Sequence, residues 1–223
     1  ILQRELVETF HPIVGVIYAE GIDNMREIPE IPALATKASE ALKIAFAGLE
    51  NPGQHSTIAS WRDAFKKFGT DPKRYRSSIE ALARRVLKDE PLPRINTLVD
   101  LYNYISVKYV LPVGGESIDT LQGDLHLAFA EGTEEFIVLN GIENDPPAKG
   151  EVVYKDDKGV ICRMWNWREA DRTKLTKETK NAVIIIDSIP PTERGLVEQA
   201  TQELAELIQT YCGGHIRQEI LTN

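Results

Sequence analysis

The order of apolar and polar positions changes character about halfway along the chain. "PIVGVIYAEGI" (Pro12 to Ile22) is rich in β-branched residues and closed by Gly21, which predicts a strand. Helical spacing then takes over. "IPALATKASEALKIAFAGL" predicts an Ala-rich helix opened by Pro32 and closed near Gly48. Ile58, Trp61, Phe65 and Phe68 recur on one helical face, with Gly69 as the stop. Ser77 with Glu80 three residues on predicts a capping box, ahead of a stripe of Ile79, Leu82, Val86 and Leu87. Asn96 suits the N-cap of a further helix running to about Val107. On it Leu98, Leu101, Tyr102 and Ile105 share one side, while Val99 and Asn103 share another.

After "PVGG" the period falls to two. Leu125, Leu127 and Phe129 alternate, and "EFIVL", "EVVYK", "GVICRMW" and "AVIIID" predict further strands between turns such as "NGIENDPPAKG" and "DDKG". "PTERGLVEQATQELAELIQTYCGG" predicts a long amphipathic helix, and "HIRQEIL" a short closing strand. One strand, a run of helices, several strands and a helix make an α+β fold rather than an alternating α/β one. With no internal repeat or linker, residues 1–223 are expected to form one domain.

Composition narrows the function classes. A hydrophobic fraction of 42% and a charged fraction of 27% are ordinary for a globular protein. The longest apolar run, "AVIII", is far shorter than a membrane span. No basic-then-apolar leader opens the chain, and a start at Ile1 without Met leaves room for residues before it. Cys162 and Cys212 lie far apart, which predicts a reduced, cytoplasmic protein. His11, His55, His126 and His215 have no metal-ligand spacing, so neither a metal nor a cofactor is expected. A net charge of −8 argues against nucleic-acid binding by the whole surface. Between Arg62 and Arg94, however, ten basic residues face five acidic ones, enough for a local patch that docks a phosphate backbone or for an ordinary solvated helical surface.

The usual catalytic signatures, GxSxG, a P-loop and GxGxxG, are missing. Two segments carry more polar and aromatic residues than packing alone calls for: His55 to Leu82, and "CRMWNWREADRTKLTKET" from Cys162. In the latter, Trp165 and Trp167 stand on either side of Asn166, one expected in the core and one outward as a stacking platform.

The stretch "PRINTLVDLYNYISVKYVLPVGG" resembles the B3/B4 editing domain of the bacterial phenylalanyl-tRNA synthetase β subunit, through Arg94, Ile95, Asn96, Val99, Asp100, Asn103, Tyr104 and Pro112. "TKNAVIIID" resembles that family's later strand segment. Freestanding B3/B4 proteins are more similar still, across "HSTIASWRDAFKKFG", "YRSSIEAL", "LPVGG" and "RMWNWREADRTKLT", nearly the whole chain. The resemblance implies an α+β fold with β-sheets flanked by helices. It also implies a trans-editing deacylase acting on the 3′ end of a mischarged aminoacyl-tRNA, with canavanyl-tRNA(Arg) as one substrate associated with such proteins. The family's site Asn matches Asn103, its preceding Thr is replaced by Tyr102, and its His falls at Gly114. Its acidic strand-end residue is matched by Asp187, and its Ala-Gly loop falls near Trp165 and Asn166.

These matches give Asn103 and Asn166 polar positioning roles and put Asp187 against the substrate amine or a cationic side chain. Tyr102, Gly114 and Trp165 shape the pocket. Arg168, with Arg62, Arg76 and Arg94, holds the RNA. An aminoacyl ester is already activated, so an oriented water and a stabilised oxyanion suffice and no nucleophilic triad is needed. The structural alternatives are Asn103 as a buried hydrogen bonder, Asp187 as a strand-end cap and the arginines as plain surface. Two functional alternatives stay open: a non-catalytic RNA or aminoacyl-tRNA binding module of the same fold, and a small-molecule-binding protein.

Overall fold

The computed structural model describes residues 1–222. Among them are six α-helices and eight strands in two antiparallel four-stranded sheets, an α+β fold. The helices are α1 (Arg4–Phe10), α2 (Ile31–Ala45), α3 (Ser56–Lys67), α4 (Ser78–Val86), α5 (Thr97–Tyr109) and α6 (Arg194–Cys212). The first sheet has the order β2 (Val113–Ser117), β7 (Asn181–Ser188), β1 (Ile13–Glu20), β8 (His215–Leu221). The second runs β3 (His126–Phe129), β4 (Val152–Lys155), β5 (Val160–Arg163), β6 (Arg168–Glu169).

β7 is central because its sequence allows nothing else. From Ala182 to Ser188 every residue is buried, so both faces must be covered. One face packs on helices. Gly15 on β1 leaves the space that Thr201 of α6 fills, since a Cβ there would lie 2.1 Å from the threonine oxygen. On the other face the register aligns Val14 with Asp187, Val16 with Ile185 and Gly114 with Ile185 from the opposite edge. This face meets the second sheet, and Tyr154 of β4 reaches across to hydrogen-bond Asp187. Trp61, Phe65, Ile79, Leu98 and Trp165 belong to the same continuous core.

Most predicted elements stand where the pattern put them. Asn96 accepts the Val99 N–H and caps α5, and Ser77 Oγ accepts the Glu80 N–H and caps α4. The capping box is incomplete, because the Glu80 carboxylate turns to arginines rather than back to the backbone. "EFIVL" is not a strand. Ile137 and Val138 make only isolated bridges, to Asn144 and Ala170, and Phe136 anchors the segment in a small separate cluster with Ala130, Val153, Val160 and Ala170. "GVICRMW" ends as a strand at Arg163, since Met164 and Trp165 take left-handed backbone with φ of 49° and 67°. This turn, and not an extended chain, sets fully buried Trp165 apart from half-buried Trp167. Three elements escaped the pattern: α1, which buries only Leu6 and Phe10, β2, whose glycines hide its period, and the two-residue β6.

Candidate active site

At the point where β2, β7 and the second sheet meet lies a small pocket of about 30 Å³. Gly114, Glu116, Tyr154, Cys162, Asn166, Glu169 and Asp187 line it, with Trp165, Ser78 and four aliphatic or glycine neighbours. Its volume suits one or two water-sized groups.

Asp187 sits at the end of β7, and strand pairing on both sides removes it from solvent. It accepts the Tyr154 hydroxyl at 2.6 Å and the Trp165 indole N–H at 3.1 Å. The left-handed turn at Met164 and Trp165 aims that indole inward. Burial dominates over these donors and over nearby Asn166, and pushes the Asp187 carboxyl up to about 7. Asn166 follows on the same turn. It is only 8% exposed, yet neither atom of its amide has a partner.

Gly114 and Glu116 project from β2 to the same side, as alternate strand residues do. A Cβ at Gly114 would lie 2.9 Å from Glu169 Oε1, so the bare glycine leaves room for that carboxylate. The Glu116 and Glu169 carboxyls are close enough to share a proton, and burial holds both above the usual carboxylate range. One oxygen of each, and the Thr173 hydroxyl, is buried without a partner. The Tyr102 hydroxyl of α5 and the Cys162 thiol are raised by burial and by the same two glutamates. Cys162 is thus held as an inert thiol. Among the described residues no group of three or more His, Cys, Asp or Glu is placed to hold a metal.

Beside the pocket, the electrostatics reverse. Ser78, on the pocket wall, opens α4, and Glu80 two residues on has a nearly inaccessible carboxylate. Arg62 grips it with two hydrogen bonds of 2.9 and 2.6 Å, Arg84 adds one at 2.9 Å and Arg76 stands 3.8 Å away. The three guanidinium groups outnumber the carboxylate and are partly exposed. Next to Arg76, Tyr75 packs edge-to-face on Trp167 at 4.9 Å, and Arg168 lies over the Trp167 ring.

The residues singled out from sequence therefore divide. Gly114, Trp165, Asn166 and Asp187 line the pocket, and Tyr102 is coupled electrostatically to its glutamates. Arg62 and Arg76 gather on Glu80, two residues beyond Ser78 of the pocket wall, and Arg168 adjoins the lining residue Glu169 in sequence and lies over Trp167. Arg94 does not: it pairs with Asp100 beside the start of α5 and lines a different groove, with Asn24 and Lys177. Asn103 is buried in α5 and is not among the lining residues. Sequence reasoning missed Tyr154, Glu116 and Glu169. Glu116 was within reach, as an acidic residue two beyond Gly114 in an otherwise buried strand.

The B3/4 domain family matches residues 60–213, which include α4, α5 and every pocket residue. The chain belongs to the B3/4 domain family. Its similarity extends to the phenylalanine–tRNA ligase β subunit of Fusobacterium nucleatum subsp. nucleatum, 26% identical over 150 residues, covering 57% of this chain and 18% of that protein. The B3/4 chain thus spans less than a fifth of that relative's length. It is also similar to the crystal structure of an N-terminal fragment of the phenylalanyl-tRNA synthetase β subunit from Pyrococcus horikoshii, at 14% identity and a TM-score of 0.47, over 97% of this chain and 49% of that one. No helix of the described residues is long and apolar enough to cross a membrane.

Proposed function

We propose that residues 1–223 act as one domain that binds the aminoacylated 3′ end of a tRNA and hydrolyses its ester bond. The observation that carries this reading is the pairing of Asp187 and unpartnered Asn166 in a water-sized pocket beside a cluster of arginines. Similarity to a tRNA ligase subunit supports tRNA as the partner.

Asp187, poised near neutrality, takes a proton from a water held in the pocket. Tyr154 and Trp165 orient the carboxylate that does so. The Asn166 amide donates to the oxyanion that forms as water attacks the ester carbonyl. The surplus charge of Arg62, Arg76 and Arg84 holds the terminal phosphates, and Arg168 with Trp167 and Tyr75 offers a stacking surface for a base. The acidic lining favours a cationic aminoacyl group, canavanyl or another arginine analogue included. The present volume admits an ammonium but requires widening for a guanidinium side chain.

Ester loss from a panel of mischarged tRNAs, canavanyl-tRNA(Arg) among them, tests the reading. Acceleration abolished by Asp187→Asn is the expected result, and no acceleration on any tRNA refutes it. A second reading, a binding module without turnover, is favoured by Gly114 standing where the resembled pattern has a His. It predicts RNA binding that survives with no ester loss.

A further inference from the structure

Glu116 and Glu169 take no part in the hydrolysis just described, yet the fold goes to some length to bring them together. Glu116 comes from β2 and is 3% exposed. Glu169 comes from β6 in the other sheet, and its Oε1 lies 2.9 Å from where a Cβ on Gly114 would stand. Two buried carboxyls side by side normally attract a basic partner. The nearby arginines are committed elsewhere: Arg172 to Asp156, Arg163 to Glu151 and Asp145, and Arg168 over Trp167.

We infer that Glu116 and Glu169 are the seat of the α-ammonium group of the aminoacyl substrate, so that a free amine is required for binding. Three observations converge on this. Glu116 Oε2 and Glu169 Oε2 are buried without partners, and Asn166, more than nine-tenths buried, faces the same cavity with its amide oxygen unpartnered. An ammonium has three donors and no acceptor, which matches three waiting acceptors. The cavity of about 30 Å³ has room for a group of that size, and acylation would remove both its charge and two of its donors.

The groups that face the pair are Asp187 on β7, Cys162 on β5, Tyr102 on α5 and, after β6, Arg172 and the Thr173 hydroxyl. Burial disfavours negative charge on both carboxyls, and an arriving ammonium supplies the positive charge that offsets it. The inference takes the identity of the ligand from the deacylase reading but does not need hydrolysis to occur.

Calorimetric titration of the full chain with L-alaninamide, L-argininamide and their Nα-acetyl derivatives provides the test. The amides are expected to bind, and the acetylated forms at least about tenfold more weakly. Glu116→Gln, which keeps shape and hydrogen bonding, and Glu169→Gln are each expected to weaken the amides by a similar factor with unchanged melting cooperativity. Equal binding of acetylated and free amides, wild-type affinity in both variants, or no binding of any amide overturns the seat. The two readings fail separately. Amide binding without ester loss removes the hydrolase and keeps the seat, whereas equal hydrolysis of aminoacyl- and N-acetylaminoacyl-tRNA keeps the hydrolase and removes the seat.

Discussion

Two neighbouring parts of this molecule bury carboxylates and treat them in opposite ways. Glu80 is surrounded by Arg62, Arg76 and Arg84, and the guanidinium hydrogen bonds hold it below the usual carboxylate range despite its burial. Glu116, Glu169 and Asp187 receive only neutral donors or each other, and burial raises all three. A buried charge must be paired or neutralised. The first cluster is paired within the chain and serves as framework, with positive charge to spare. The second stays unpaired, a cost to folding that makes sense where a ligand supplies the missing cation.

The contrast can be broken from either side. Glu80→Ala leaves guanidinium groups without their shared partner and is expected to lose about 3–5 kcal/mol of stability in urea unfolding. A loss below about 1 kcal/mol would mean that the arginines already satisfy themselves in solvent.

Asp187 gives the opposite sign. Its folded pKa of about 7 lies above the ordinary value of 3.8, so the folded state is favoured fully below pH 4 and loses ground as pH rises toward 7. The loss amounts to roughly 4 kcal/mol at most, and it is constant above neutrality. Asp187→Asn keeps an acceptor for Tyr154 and Trp165 and is expected to flatten that pH dependence. Unfolding curves at pH 5 and 8 check it, and a mutant with the wild-type slope would place the titration elsewhere.

A smaller effect is expected at Gly114. Gly114→Ala forces the Glu169 carboxylate aside at a cost of about 1–3 kcal/mol, and amide affinity in the calorimetric titration should fall with it. Unaltered affinity would show that Glu169 need not lie against β2. The smallest change is Ser77→Ala, which removes the cap of α4 and is expected to cost about 1 kcal/mol in thermal or urea unfolding, while leaving amide binding intact.

How much of this was legible beforehand follows from the range of each interaction. Asn96 and Ser77 cap helices three residues away, and their side chains announce themselves at that spacing. β7 declares its burial by a continuous apolar run, and β1 by its β-branched residues. The pattern erred where a local signal had two readings. "EFIVL" is apolar enough for a strand but finds no partner of matching length, and "RMW" is apolar but turns left-handed. Arg94 shared a basic stretch with Arg62 and Arg76, yet it stands apart with Asp100.

By itself, then, the sequence determined the α+β class, the principal helices with their caps, and the Gly114, Trp165, Asn166 and Asp187 that came to line one pocket. Tertiary structure alone decided which carboxylates would be paired and which left waiting. Glu80 meets Arg62 from another helix, and Glu116 meets Glu169 from another sheet, across a glycine that has no side chain to keep them apart. Charge pairing depends on distance through space and on the water that burial removes, and neither is written in the spacing of residues along the chain.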